Sequence, residues 1–183
     1  DLVDADLAEL AALEVAERVR RNRLVFKGRF AGGRVAYVPT SEVPLFIAAY
    51  RKERGLSPEA RAVLATLERE GPLHKPDIAE RRGVKGSELS REPRKLQEAF
   101  LVYEEQLETE WGTPWYHLES EQGEWLANLP DPGDARREVI RRFTEAYVAT
   151  SVDEAKAWSG FPKREVAACL EELSSAGHLL RSN

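Results

Sequence analysis

Between Ser57 and Leu118 the apolar positions change period, and the change predicts an order of elements. Ala60, Val63, Leu64 and Leu67 recur at i, i+3, i+4 and i+7, one face of a helix. Ser57-Pro58-Glu59 supplies a cap, a proline at the first helical position and an acid in the first turn, and Gly71 ends the helix. A second helix opens near Pro76-Asp77 and stops at Gly83. A third follows Ser87 or Ser90 and carries Leu89, Leu96 and Phe100. Alternation then takes over: Leu101 to Thr109 and Trp115 to Leu118 read as two strands about a turn at Trp111-Gly112-Thr113-Pro114. Three helices closed by a hairpin describe a helix-turn-helix with a wing.

Related patterns flank this segment. Leu7, Leu10 and Leu13 lie at helical spacing on a helix expected to run to about Arg21. Leu24-Val25-Phe26 begins a strand, Ala31-Gly32-Gly33 is a hairpin turn, and Arg34 to Val38 returns. Pro39-Thr40-Ser41-Glu42 opens a short helix with Val43, Leu45, Phe46 and Ile47. After a linker at Pro130 to Gly133, Val139, Ile140, Phe143 and Tyr147 share a helical face. Ser151-Val152-Asp153-Glu154 is a capping box for a helix ending at Gly160. Pro162 opens the next helix, with Val166, Leu170 and Leu173 inward and Cys169 beside them. His178-Leu179-Leu180 starts a strand without a partner before Asn183. The expected fold is α+β and helix-rich, built of tandem winged-helix modules: a partial one at 1–56, a central one at 57–130, and one at 131–183 whose wing is incomplete.

Composition narrows the setting. The 183 residues hold enough apolar content for two or three small cores, and no run approaches membrane-spanning length. No charged-then-apolar leader opens the chain. A single cysteine, Cys169, leaves no intrachain disulfide, which makes the cytoplasm the expected location and a membrane partner unexpected. Methionine is absent, so the sequence is expected to be part of a longer encoded chain. The net charge of −5 is uneven. Residues 1–56 hold ten basic and eight acidic residues, 57–130 nine and fifteen, 131–183 eight and nine. A local basic patch still binds phosphate, since salt screens charges beyond roughly 10 Å.

Particular phrases resemble a known family. Gly33-Arg34-Val35-Ala36-Tyr37-Val38-Pro39 with Ser41-Glu42-Val43-Pro44-Leu45 is similar to a strand-and-helix signature of the winged-helix DNA glycosylases of AlkZ-like type. Gly71-Pro72-Leu73 with Asp77 resembles the middle helix-turn-helix of that family. Arg141-Arg142-Phe143, Ala146-Tyr147, Ala149-Thr150, Trp158-Ser159-Gly160-Phe161 and Arg164-Glu165 form the third and most specific match. The resemblance runs from about residue 24 to 180. It implies tandem winged helices that grip double-stranded DNA, and that some members excise alkylated bases or unhook crosslinks. The family's catalytic signature is a Gln-x-Gln or Gln-x-Asp motif that orients water; Gln97, Gln106 and Gln122 stand in no such motif, so catalysis does not carry over.

Candidate DNA contacts fall in three groups. The basic run Arg18, Arg20, Arg21, Arg23, Lys27, Arg29 and Arg34 is the first, with Arg29 and Arg34 on a hairpin that can enter a groove. Its plainer reading is a helix end whose cations offset the helix dipole. Lys85, Arg91, Arg94 and Lys95 near the central recognition helix are the second, against a solvated face paired as Arg91–Glu88 or Arg94–Glu98. Lys163 and Arg164 at the start of the last helix are the third. Trp111, Trp115 and Tyr116 offer stacking on an unpaired base or cross-strand packing. Glu104, Glu105, Glu108 and Glu110 repel phosphate, so the central wing is expected to face a protein partner or water. His74, His117 and His178 are far apart, so no metal and no cofactor is expected. The functional expectation is a DNA-binding, repair-type module. The alternatives are a transcriptional regulator and a protein-interaction scaffold.

Overall fold

The Ser57 hydroxyl accepts from the Ala60 N–H at 3.1 Å and donates to Glu92 at 2.9 Å, so one cap both starts a helix and ties it to another. In the computed structural model, which describes residues 2–52, 55–89, 91–104, 112–147 and 150–179 (for 2–11 the backbone alone), that helix is the third in chain order. The elements are α1 (Leu2–Arg21), β1 (Val25–Phe30), β2 (Arg34–Pro39), α2 (Val43–Tyr50), α3 (Pro58–Glu70), α4 (Lys75–Arg82), α5 (Glu92–Glu98), β3 (Val102–Glu104), β4 (Trp115–His117), α6 (Leu118–Gln122), α7 (Pro132–Tyr147), α8 (Val152–Ser159) and α9 (Lys163–Ser175). Single 3-10 turns span Thr40–Glu42 and Gly123–Leu126. The fold is α+β and helix-rich, with two small antiparallel sheets, β1–β2 and β3–β4.

The central segment builds a winged-helix-like unit around its own core. Ala60, Val63 and Leu67 of α3 meet Ile78, Leu89, Leu96, Leu101 and Val102 there. Leu73, between α3 and α4, exchanges backbone hydrogen bonds with Trp115, at 3.1 Å and 2.8 Å, an isolated antiparallel bridge on the edge of β4 opposite β3. Gly71 and Gly83 terminate α3 and α4 in positive-φ conformations. The third helix starts at Glu92, which agrees with the Ser90 alternative and not with Ser87, because Pro93 in its first turn sets the helical entry; Leu89 is buried from the preceding turn and is not on the helix. Strand β3 ends at Glu104, and the expected continuation at 105–111, with Gln106 and Trp111, lies outside the described residues.

The second core joins the rest. Phe26 and Phe30 of β1, Val43, Phe46, Ile47 and Tyr50 of α2, Val139, Ile140 and Phe143 of α7, and Phe161, Val166 and Leu173 around α9 form one buried cluster. Phe100 enters that cluster from the central segment. It follows α5 with a left-handed φ of 53°, and its ring, 1 % exposed, stacks on Phe30 at 5.1 Å and on Phe26 at 6.0 Å. The expected helical face of Phe100 beside Leu96 is therefore not realised: the two side chains serve different cores. The capping box is formed, with Glu154 N–H to Ser151 Oγ at 3.2 Å and Ser151 N–H to Glu154 Oε2 at 2.7 Å. Tyr147 is exposed at the end of α7 rather than inward. His178 and Leu179 form a bend instead of a strand, and residues 180–183 lie outside the described ones.

Candidate nucleic-acid interface

Strand β1 divides its side chains by alternation. Phe26 and Phe30 face the core, and Gly28 between them leaves room for the Phe30 ring, which a Cβ there would approach to 2.6 Å. Val25, Lys27 and Arg29 take the other face. Register places Lys27 opposite Tyr37 and Arg29 opposite Val35, so two cations alternate with two exposed apolar side chains. Val35 is 42 % and Tyr37 57 % exposed.

The hairpin tip is packed, not free. Ala31, Gly32 and Gly33 follow one another with φ of 54°, 75° and 79°. Arg94 of α5 donates to the Gly33 carbonyl at 3.4 Å, and Arg34 donates to the Ala157 carbonyl of α8 at 3.5 Å. A Cβ on Gly160, the left-handed cap of α8, would lie 2.7 Å from the Gly32 nitrogen. The tip thus brings Arg34 and Arg94 to one place, beside the turn that leads to Lys163 and Arg164. Lys85 lies in the turn before α5, and among the described residues no hydrogen bond or ion pair joins it to this group.

Many of the expected cations already have carboxylate partners. Arg20 and Arg21 share Glu17 at 2.9 and 2.8 Å, and the Arg21 hydrogen bond is the first cause that holds the Glu17 carboxyl below its ordinary range. Lys27 reaches Glu104 at 3.3 Å, Arg94 reaches Glu98 at 3.0 Å, Lys95 reaches Glu92 at 2.9 Å and Lys163 reaches Asp153 at 2.8 Å. Such pairs are exposed or half-exposed and are worth only ~0–1 kcal/mol, so a phosphate can compete for the cation. The side chains of Arg18, Arg29, Arg91 and Arg164 make no hydrogen bond or ion pair among the described residues. Arg23 is exposed at the end of α1, with a left-handed φ of 49°. Arg136, Arg137, Arg141 and Arg142 of α7, half of them in the phrases that resemble the family, are structural: Arg142 binds Glu138 at 2.8 Å and Glu42 at 2.5 Å, and Arg136 donates to the Ala49 carbonyl at 3.1 Å.

Trp115 and Tyr116 pack, as cross-strand geometry prefers. Tyr116 stacks on Tyr103 at 4.9 Å, and Trp115 is packed against the central core. Sequence reasoning missed Trp125, which lies in the 3-10 turn after α6 and meets Phe26 edge-on at 5.5 Å. Its only sequence signal is an apolar residue within a polar linker. The described residues contain no group of three or more His, Cys, Asp or Glu side chains able to hold a metal ion, and no helix among them is long and apolar enough to cross a membrane.

A family model described as DNA glycosylase AlkZ-like matches residues 10–182. The chain belongs to that family. The solved DNA glycosylase AlkZ of Streptomyces sahachiroi is a structural neighbour of this family member, with a TM-score of 0.63 at 15 % sequence identity. The match covers 87 % of this chain and 50 % of that one, so the chain spans half the length of the solved glycosylase. At that identity the likeness establishes the fold. No curated protein sequence matches the chain. Gln97 of this family member is buried on α5 and Gln122 is half-buried at the end of α6.

Proposed function

We propose that this chain is the DNA-gripping part of an AlkZ-like DNA glycosylase and acts in DNA repair by holding double-stranded DNA. The observation that carries the reading is the hairpin, whose outer face offers Arg29 and whose tip brings Arg34 beside Arg94, within a chain matched to the family over residues 10–182. Phosphate binding draws on Arg18, Arg21, Arg23, Lys27, Arg29 and Arg34, with Arg91, Arg94 and Lys95 from α5, Lys163 and Arg164 from α9, and Lys85 at the edge. Tyr37 and Val35 lie among these cations and suit the apolar part of a groove. The three segments 1–56, 57–130 and 131–183 act as modules that share one binding surface.

The −6 balance of the central segment favours a second reading, a protein-interaction scaffold whose partner meets the acidic wing around Glu104. Fluorescence anisotropy of a labelled duplex at two salt concentrations separates the two. The first reading expects affinity to fall steeply with salt and to drop when Arg29 and Arg34 both become Glu. An absence of duplex binding at low salt selects the scaffold.

A further inference from the structure

Lys27 and Glu104 meet where the two small sheets come together, Lys27 from the outer face of β1 and Glu104 from the last position of β3, 77 residues apart. The Glu104 carboxylate is held through both oxygens. Lys27 Nζ donates to Oε2 at 3.3 Å, and the Thr113 hydroxyl, two residues before β4, donates to Oε1 at 2.6 Å. The two charged side chains are 24 % and 23 % exposed. In the other ion pairs described at the candidate interface the cation is 44 % to 71 % exposed. That difference separates two kinds of pair. An exposed pair is screened by water and salt, and either member swings away freely. The shielded pair lacks that freedom: Thr113 fixes the carboxylate, and a cation that leaves it strands a charge away from water. Arg94 or Lys163 therefore turns to a phosphate at lower cost than Lys27 does.

The position of the pair gives this a consequence for binding. Lys27 and Arg29 share the outer face of β1, and strand rise sets them about 7 Å apart. A phosphate that meets Arg29 therefore lies within the roughly 10 Å over which charges act in ordinary salt, and it meets a lysine whose charge is already cancelled. Resting on the DNA-binding reading above, we propose that Glu104 is a built-in competitor for DNA phosphate at Lys27. Its carboxylate, oriented by Thr113, occupies the ammonium in the free protein, and Lys27 contributes a phosphate contact only after the carboxylate yields. The chain thus holds a duplex more weakly than its basic hairpin alone would, and one acidic side chain on a different sheet sets the difference.

The test is duplex anisotropy across a salt series for the wild-type chain, Glu104→Gln, Glu124→Gln, Lys27→Gln and the Lys27→Gln/Glu104→Gln double variant. Glu124, exposed on the neighbouring 3-10 turn, is the charge control. Glu104→Gln is expected to bind several-fold tighter than wild type at low salt, with a slope of log K against log salt steeper by ~0.9, the release of one more counterion. Glu124→Gln is expected to gain clearly less. In the Lys27→Gln background the Glu104→Gln gain is expected to shrink, because the cation it would release is gone. If Glu104→Gln does not fold, as judged by circular dichroism, Thr113→Val replaces it. That variant removes the orienting donor and keeps both charges, and it is expected to tighten binding by a smaller factor; unchanged binding there overturns the proposal. Equal gains from Glu104→Gln and Glu124→Gln, or an undiminished gain without Lys27, reduce the effect to overall charge and overturn the competitor. Weaker or unchanged binding by Glu104→Gln overturns it too and leaves the DNA reading intact. No duplex binding by any of these proteins at low salt sinks that reading and the competitor with it.

Discussion

Gly32 and Gly160 meet backbone to backbone, close enough that a Cβ on Gly160 would stand 2.7 Å from the Gly32 nitrogen and 2.9 Å from its Cα. Gly160 also has φ of +74° as the cap of α8. Gly160→Ala therefore combines a left-handed alanine with a clash against main chain that cannot rotate away. The expected loss is about 2–5 kcal/mol, from ~1–2 for the left-handed residue and ~1–3 for overpacking. Gly83 caps α4 with φ of +64° and nothing within 4 Å, so Gly83→Ala is expected to show the backbone cost alone. Urea denaturation of the two variants checks the difference; equal losses would refute the packed tip.

Phe100 links the central unit to the larger core. Its ring touches Phe26, Phe30 and Tyr50 at centroid distances of 6.0, 5.1 and 6.3 Å. Phe100→Ala is expected to cost about 3–5 kcal/mol, the usual range for a buried phenylalanine. A denaturant midpoint that barely moves would show that the ring does not join the two cores.

Much of the fold was legible because its boundaries are local chemistry. Ser57-Pro58, Gly71, Gly83, Ser151 with Glu154, and Gly160 each act through the backbone within a few residues, and each stands where the sequence pattern placed it. Leu89 and Phe100 were not legible, because apolar spacing continues through α5 while the backbone does not: Leu89 packs from a turn, and Phe100 leaves by a left-handed step toward another core. The hairpin at Gly32-Gly33 was readable as a turn, but its contact with Ala157 and Gly160 is tertiary and leaves no periodic trace. The same holds for Trp125, which meets Phe26 from a separate segment.

Glu138 gives the fold an acid-sensitive joint. Hydrogen bonds from Arg141, and then from Arg142, outweigh its desolvation and push the carboxyl down to about 2. An unfolded glutamate titrates near ~4.3, so the unfolded chain takes up this proton first as pH falls. The stabilisation is complete above that value and is lost as pH drops from there through about 2. Glu138→Gln is expected to flatten the stability profile across that window while lowering stability at neutral pH. Urea midpoints measured from pH 6 to pH 2 test it, and an unchanged acid slope in the variant would assign the acid response to other carboxylates.

Arg29 and Arg21 offer a direct contrast between an available cation and an occupied one. The Arg29 side chain stands on the outer hairpin face with no ion pair or hydrogen bond among the described residues, whereas that of Arg21 is bound to Glu17 at 2.8 Å. A phosphate meeting Arg29 displaces only water and counterions. At Arg21 it must also displace a carboxylate, which then repels it. Each phosphate contact contributes about −0.9 to the slope of log K against log salt on duplex DNA. Arg29→Ala is expected to make that slope shallower by ~1 and to weaken binding at low salt, and Arg21→Ala to change the slope by less than half as much. Duplex titrations across a salt series measure both. Equal slope changes would mean that Glu17 releases Arg21 on binding, and that the end of α1 engages the backbone as fully as the hairpin does.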